Sequence, residues 1–152
     1  MESEKLKQEI LDVLLFPSDL EKWLFIKFWF DNEGKLKPRK VNREGKHFVM
    51  IYAESARPIN HQTLCSLLAL TPFHINYEDT NVKRSLLQYL LMNPTTTRAE
   101  LEMVKAKGAN LLHTDKHRCG VIFSTFMSLK DRNMDTFNEK IRWLCEELDM
   151  TQ

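Results

Sequence analysis

The stretch HFVMIYA, from His47 to Ala53, decides how the fold is read. It is a short apolar run bounded by Gly45 on one side and Glu54-Ser55 on the other, and such a run predicts a strand lying centrally in a sheet. Beyond it, Asn60 is placed to cap a helix carrying Leu64, Leu67, Leu68 and Leu70, because an asparagine oxygen can take one of the N–H groups left orphaned at a helix start. Thr71-Pro72 ends that helix, and Phe73, Ile75 and Tyr77 then alternate as a second strand. The three elements form a strand, helix, strand unit.

Working back from this unit, Leu6, Ile10, Val13 and Leu14 share one stripe of an amphipathic helix that stops before Phe16-Pro17. Ser18 followed by Glu21 has capping-box spacing and starts a helix at Asp19. The aromatic run WLFIKFWF, Trp23 to Phe30, fits that helix but alternates well enough for a buried strand; helix is favoured. Gly34 ends the element, and residues 35–46 read as an exposed connector or hairpin.

Working forward, Asn81 is a cap for a helix through Val82, Leu86, Tyr89, Leu90 and Met92, which Asn93-Pro94 breaks. Thr97 and Glu100 form a second capping-box pair, and Gly108 suits the left-handed residue that closes the helix they open. The periodicity of Cys119 to Leu129 does not decide between helix and strand, and strand is favoured over 119–125. After Asn133 or Asp135, Phe137, Ile141, Leu144 and Leu148 mark a long amphipathic helix. The predicted class is therefore α+β, mainly helical, with five or six helices and a small sheet of two to four strands. No internal repeat is visible, and residues 1–152 read as a single globular domain of ordinary composition.

Charge is unevenly spread. Lys35, Lys37, Arg39, Lys40, Arg43 and Lys46, offset by Glu44, give residues 35–46 a net +5, so the rest of the chain carries −4 of a total of +1. That segment is a candidate phosphate contact, with Trp23, Phe25, Trp29, Phe48 and Tyr52 as candidate stacking surfaces for RNA or single-stranded nucleic acid. The chain is also rich in residues favoured at protein interfaces, with 9 Phe, 3 Trp and 7 Met. Trp23, Trp29, Met134, Phe137 and Trp143 are the candidate partner-binding residues.

Catalytic fingerprints are missing. No GxGxxG, GKS/T, GxSxG or HExxH motif occurs. His113, His117 and Cys119 carry metal-binding chemistry as HxxxHxC, but the second ligand pair of a tetrahedral site is lacking, so no metal or other cofactor is expected. His61 and Cys65 share a helical face, and the apolar neighbours Leu64, Leu67 and Leu68 argue for an inert core thiol. Glu78-Asp79 and Glu146-Glu147 read as solvated charge. Three widely spaced cysteines favour a reducing interior, cytoplasmic or nuclear, and neither a secretory signal nor a membrane span is expected. These features predict a non-enzymatic interaction module or adaptor subunit that binds a protein partner, or a second copy of itself, within a larger assembly. Nucleic-acid binding through residues 35–46 is the alternative.

Overall fold

Four turns of one design punctuate the chain. In each, a side-chain oxygen of Asp or Asn accepts hydrogen bonds from backbone N–H groups two to five residues on, while its own N–H pairs with the far side of the turn. Asp31 Oδ1 accepts from Glu33 and Lys35, both at 2.9 Å. Asn42 Oδ1 accepts from Glu44 and Lys46 at 3.0 and 2.9 Å. Asp79 Oδ1 accepts from Asn81, Val82 and Lys83, and Asp115 Oδ1 from His117 and Cys119 at 2.8 and 3.0 Å. Each turn carries one residue in the left-handed region: Gly34, Gly45, Lys83 and Arg118. Each also closes on a single β-bridge, between Phe30 and Leu36, Val41 and His47, Glu78 and Ser85, and Thr114 and Gly120.

The computed structural model describes residues 2–37, 40–70, 74–129 and 134–148, and between these turns it is helical. In chain order the helices are α1 Glu2–Val13, α2 Asp19–Trp29, α3 Phe48–Ser55, α4 His61–Leu70, α5 Leu86–Met92, α6 Arg98–Ala106, α7 Val121–Leu129 and α8 Met134–Glu147. From the second turn onward the pattern is turn, helix, helix, three times over. The first helices of the three units begin at residues 48, 86 and 121, a spacing within the range of about 20–50 residues that marks repeat architectures.

The units stack. α3, α5 and α7 pack side by side as one row, each first helix packs on the second helix of its own unit, and α4 packs on α6. α6 and α8 are tied by Trp143 Nε1, which donates to Glu102 Oε1 at 2.7 Å, and by ion pairs from Arg98 to Glu146 and from Lys105 to Glu147. The turns stack with them: Thr80 N–H donates to Glu44 O at 2.9 Å and Lys116 N–H to Val82 O at 2.7 Å. Gly45 is needed at this seam twice over. Its φ is +74°, and a Cβ there would lie 2.5 Å from Thr80 Oγ1 and 2.8 Å from Thr80 N.

The two ends of the stack differ. Ahead of the first unit, α1 packs on α4, and Phe25, Trp29 and Phe30 bring their rings within 5.3–5.9 Å of Phe48. Nothing comparable follows the last unit among the described residues.

The α+β expectation is thus overturned: the described residues form eight helices and isolated bridges, with no sheet. HFVMIYA is not a strand but most of α3. Phe48, Val49, Met50, Tyr52 and Ala53 are all buried, because α3 is covered by α2, α4 and α5, and a helix buried on nearly every side shows no 3.6-residue polarity. Length does not rescue the reading, since α3 has eight residues, within the range typical of strands. The segment 119–125 is not a strand either: Gly120 closes the fourth turn's bridge and residues 121–125 open α7, whose exposed face is itself apolar at Phe123, so no polar face marks the helix. Of the second predicted strand, Phe73 lies outside the described residues, and residues 74–77 form a turn. Asn81 sits in the third turn, and the cap of α5 is Ser85, boxed with Gln88. The internal repeat, unseen in the sequence, lies in the turns.

The helical expectations fare better. Ser18 caps α2 through the Glu21 N–H, Asn60 Oδ1 accepts from Thr63 N–H at 3.0 Å, Thr97 and Glu100 form a capping box, and Gly108 takes φ +97°.

Candidate interaction surface

The last unit repeats the register of the one before it, and that comparison locates the site. Counting from the first residue of each helix, Leu87, Gln88 and Leu91 of α5 match Ile122, Phe123 and Phe126 of α7. The three α5 residues are buried, and Gln88 Nε2 donates to Cys119 O at 3.3 Å and Ser124 Oγ at 3.2 Å of the unit stacked on it. In α7 the third and sixth positions face outward, Phe123 and Phe126 each being 44% exposed and neighbouring Met127 56% exposed, while Ile122 is half-buried against the core.

These side chains border a groove of about 630 Å³ that α8 and the fourth turn complete with Leu111, Leu112, Phe137, Ile141 and Leu148. Every residue lining it is apolar or glycine. Single exposed apolar side chains are ordinary, but a contiguous group in a concavity marks an interaction surface. The groove has no charged or hydrogen-bonding side chain with which to orient a reacting group, so its chemistry is burial.

Of the predicted partner-binding residues, Phe137 lies in this groove, its ring 5.8 Å from that of Phe126. Met134 opens α8; its side chain lies outside what is described. Trp29 and Trp143 are buried and hold the fold. Trp23 is exposed on α2, on a face it shares with the exposed Leu20, Leu24 and Phe28. Of the other groove residues, Ile122 and Phe123 fall in the predicted strand 119–125, Phe126 lies just beyond it, and Leu111 and Leu112 fall in no predicted element. Aligning Asn42, Asp79 and Asp115 would have exposed the repeat and the correspondence of α5 with α7.

The basic segment is divided by the structure. Lys35 and Arg43 are exposed, Lys37 and Lys40 half-buried, and Arg39 lies outside the described residues. Lys40 Nζ sits 4.3 Å from the Phe28 ring and Lys27 Nζ 4.8 Å from that of Trp23. Lys46 is buried and spent on the fold: it pairs with Glu54 at 2.9 Å and Glu44 at 3.4 Å beside the Tyr89 ring. Burial opposes its charge, but the two carboxylates outweigh burial and raise its pKa. Among the proposed stacking aromatics, Phe48, Tyr52 and Trp29 are buried and Phe25 is half-buried.

The HxxxHxC residues do not converge on one point. His113 Nε2 meets Lys83 O at 2.8 Å and ties the third turn to the fourth, while Cys119 Sγ faces its own turn at His117 O. Among the described residues, no group of three or more His, Cys, Asp or Glu is placed to hold a metal ion. His61 and Cys65 do meet, with Nε2 to Sγ at 3.6 Å, and His61 Nδ1 lies 2.9 Å from Glu100 Oε2. Glu146 and Glu147 serve the α6 to α8 pairs, and Asp79, far from being solvated, is buried at the centre of its turn. No described helix is long and apolar enough to cross a membrane.

Compared with known proteins, the sequence matches no family model and is similar to no curated protein.

Proposed function

We propose that the chain is a non-enzymatic interaction module, acting as one domain, that docks a protein partner on the apolar groove between α7 and α8. The observation that carries this reading is the exposure of Phe123 and Phe126 at register positions that the preceding unit buries. Burying such side chains contributes about 25 cal/mol per Å², so a few aromatics in one groove can anchor an interface. The architecture supports it too. A turn and two helices per stacked unit is also the construction of ankyrin-type repeats, and stacked arrays present extended surfaces to partners. The three free cysteines suit an intracellular, reducing compartment.

The test is affinity isolation from cells expressing the tagged chain, wild type against the double variant Phe123→Asp/Phe126→Asp. A protein retained by the wild type and lost from the variant is expected. Identical retained sets would contradict the reading.

Nucleic-acid binding is the second reading, favoured by Lys27 and Lys40 lying against the exposed aromatics Trp23 and Phe28 beside the basic segment. It requires salt-dependent retention of a single-stranded oligonucleotide, lost in Lys35→Glu/Lys40→Glu/Arg43→Glu. Absence of binding at low salt would exclude it.

A further inference from the structure

The seam between α4 and α6, apart from the groove, holds three side chains in the order of a nucleophile, its base and the group that orients the base. Cys65 Sγ is 3.6 Å from His61 Nε2, and His61 Nδ1 is 2.9 Å from Glu100 Oε2. The Glu100 side chain is 3% exposed and held in place by the Thr97 N–H at 2.8 Å and hydroxyl at 2.9 Å. An ionised carboxylate is acceptor only, so the imidazole proton belongs on Nδ1, and Nε2 is left as an acceptor facing the thiol. This is how thiolates are stabilised elsewhere. The Met103 thioether, on the other side, is a second and weaker acceptor for the thiol proton, with Sγ donating to Sδ at 3.1 Å. With the His61 side chain 38% exposed, the seam is open to small reagents from that direction.

We propose that Cys65 is a reactive thiol, primed by His61 and Glu100, that forms covalent adducts with soft electrophiles of the α,β-unsaturated carbonyl class. The thiol proton passes to His61 Nε2. The sulfur pair forms an S–C bond at the β-carbon while the C=C pair moves onto the carbonyl oxygen as an enolate. The imidazolium then returns its proton to the α-carbon. Addition is complete without oxidant or reductant. The adduct stands at the α4 to α6 seam, making this a modification site and not a turnover site.

An unactivated cysteine is a few per cent thiolate at pH 7, so full ionisation raises the reactive fraction by at most about thirtyfold. The experiment is site-resolved labelling of the folded protein with limiting N-ethylmaleimide at pH 7, read by peptide mass spectrometry. Cys65 is expected to label about tenfold faster than Cys119 or Cys145. Glu100→Gln keeps an acceptor for the Thr97 N–H and removes the charge; it should slow Cys65 alone, leaving the other two rates and the thermal midpoint unchanged. His61→Gln, at the start of α4, should do the same and serves if Glu100→Gln does not fold. A wild-type Cys65 no faster than the other cysteines, or one whose rate both folded variants leave unchanged, overturns the proposal.

Discussion

Gln88 and Phe123 stand at the same place in successive units, the third residue of α5 and of α7, yet Gln88 is buried with its amide bonded to the next unit and Phe123 faces outward. A polar residue thus fills an internal joint and an aromatic one an outward face. Burying a glutamine is tolerable because Cys119 O and Ser124 Oγ accept from it. An exposed aromatic finds its purpose in something that covers it.

The third turn should be the most sensitive to a single substitution. Asp79 is buried, and besides its backbone N–H donors it accepts from the Tyr89 hydroxyl at 2.6 Å. Asp79→Ala leaves those donors unsatisfied and should cost about 3 kcal/mol or more in urea unfolding. Asp79→Asn should cost less, since Asn42 builds the same turn.

Asp79 also sets a response to acid. Burial raises its pKa, but the bonds from Tyr89, Val82, Arg84 and Asn81 outweigh burial and hold it below the usual carboxylate range. Its contribution is therefore full above the unfolded value near pH 4 and lost as pH falls through the lower folded value. Urea midpoints of wild type and Asp79→Asn should converge as the pH is lowered below about 4. A difference that stays constant contradicts this.

Lys140 produces a slope of the opposite origin. It is buried, and its Nζ donates to the carbonyls of Leu90, Leu91 and Asn93 at the end of α5. Burial, with Arg57 nearby, lowers its pKa to about 7 against the opposing pull of Glu139 and Glu100. Between about pH 7 and the unfolded value near 10.4 the unfolded chain binds more protons, so stability gains from this group as pH rises through that window. Lys140→Met should flatten that part of the rise in unfolding free energy, and at pH 7 should cost about 1–3 kcal/mol for the carbonyls it strands.

Trp143 should report the bond between the second helices. It is buried on α8 and bonded to Glu102 on α6. Trp143→Ala should cost about 3–5 kcal/mol by calorimetry, and Trp143→Phe less, since most of the buried volume is kept.

What could be read from the sequence followed local chemistry. Ser18, Asn60, Thr97 and Gly108 announce helix ends because a cap needs nothing beyond its own few residues. Of the first helices of the units, α5 was legible as a helix through Leu86, Tyr89, Leu90 and Met92, whereas α3 and the start of α7 were not: α3 is covered on several sides, and the exposed face of α7 is itself apolar at Phe123, Phe126 and Met127, so neither shows the polar face that distinguishes helix from strand. The repeat was hidden for another reason. Its turns share an Asx side chain and a left-handed residue, but that residue is Gly34 or Gly45 in two turns and Lys83 or Arg118 in the others. As for the site, Phe137 was legible from the α8 stripe, whereas Phe123 and Phe126 became visible once α7 was matched in register with α5.

The central claim is that α7 leaves exposed, among the described residues, the face that α5 buries, and paired substitutions at one register position test it most directly. Leu91 and Phe126 are each the sixth residue of their helix, one buried and the other 44% exposed. Urea unfolding should show Leu91→Glu losing about 4 kcal/mol or more, or failing to fold, as a buried unpaired charge demands. Phe126→Glu should remain native and lose no more than about 1–2 kcal/mol, the scale of its edge contact with Phe137 and its partial burial. Equal losses at the two positions would contradict the claim, because they would mean that Phe126 is as much a part of the core as Leu91.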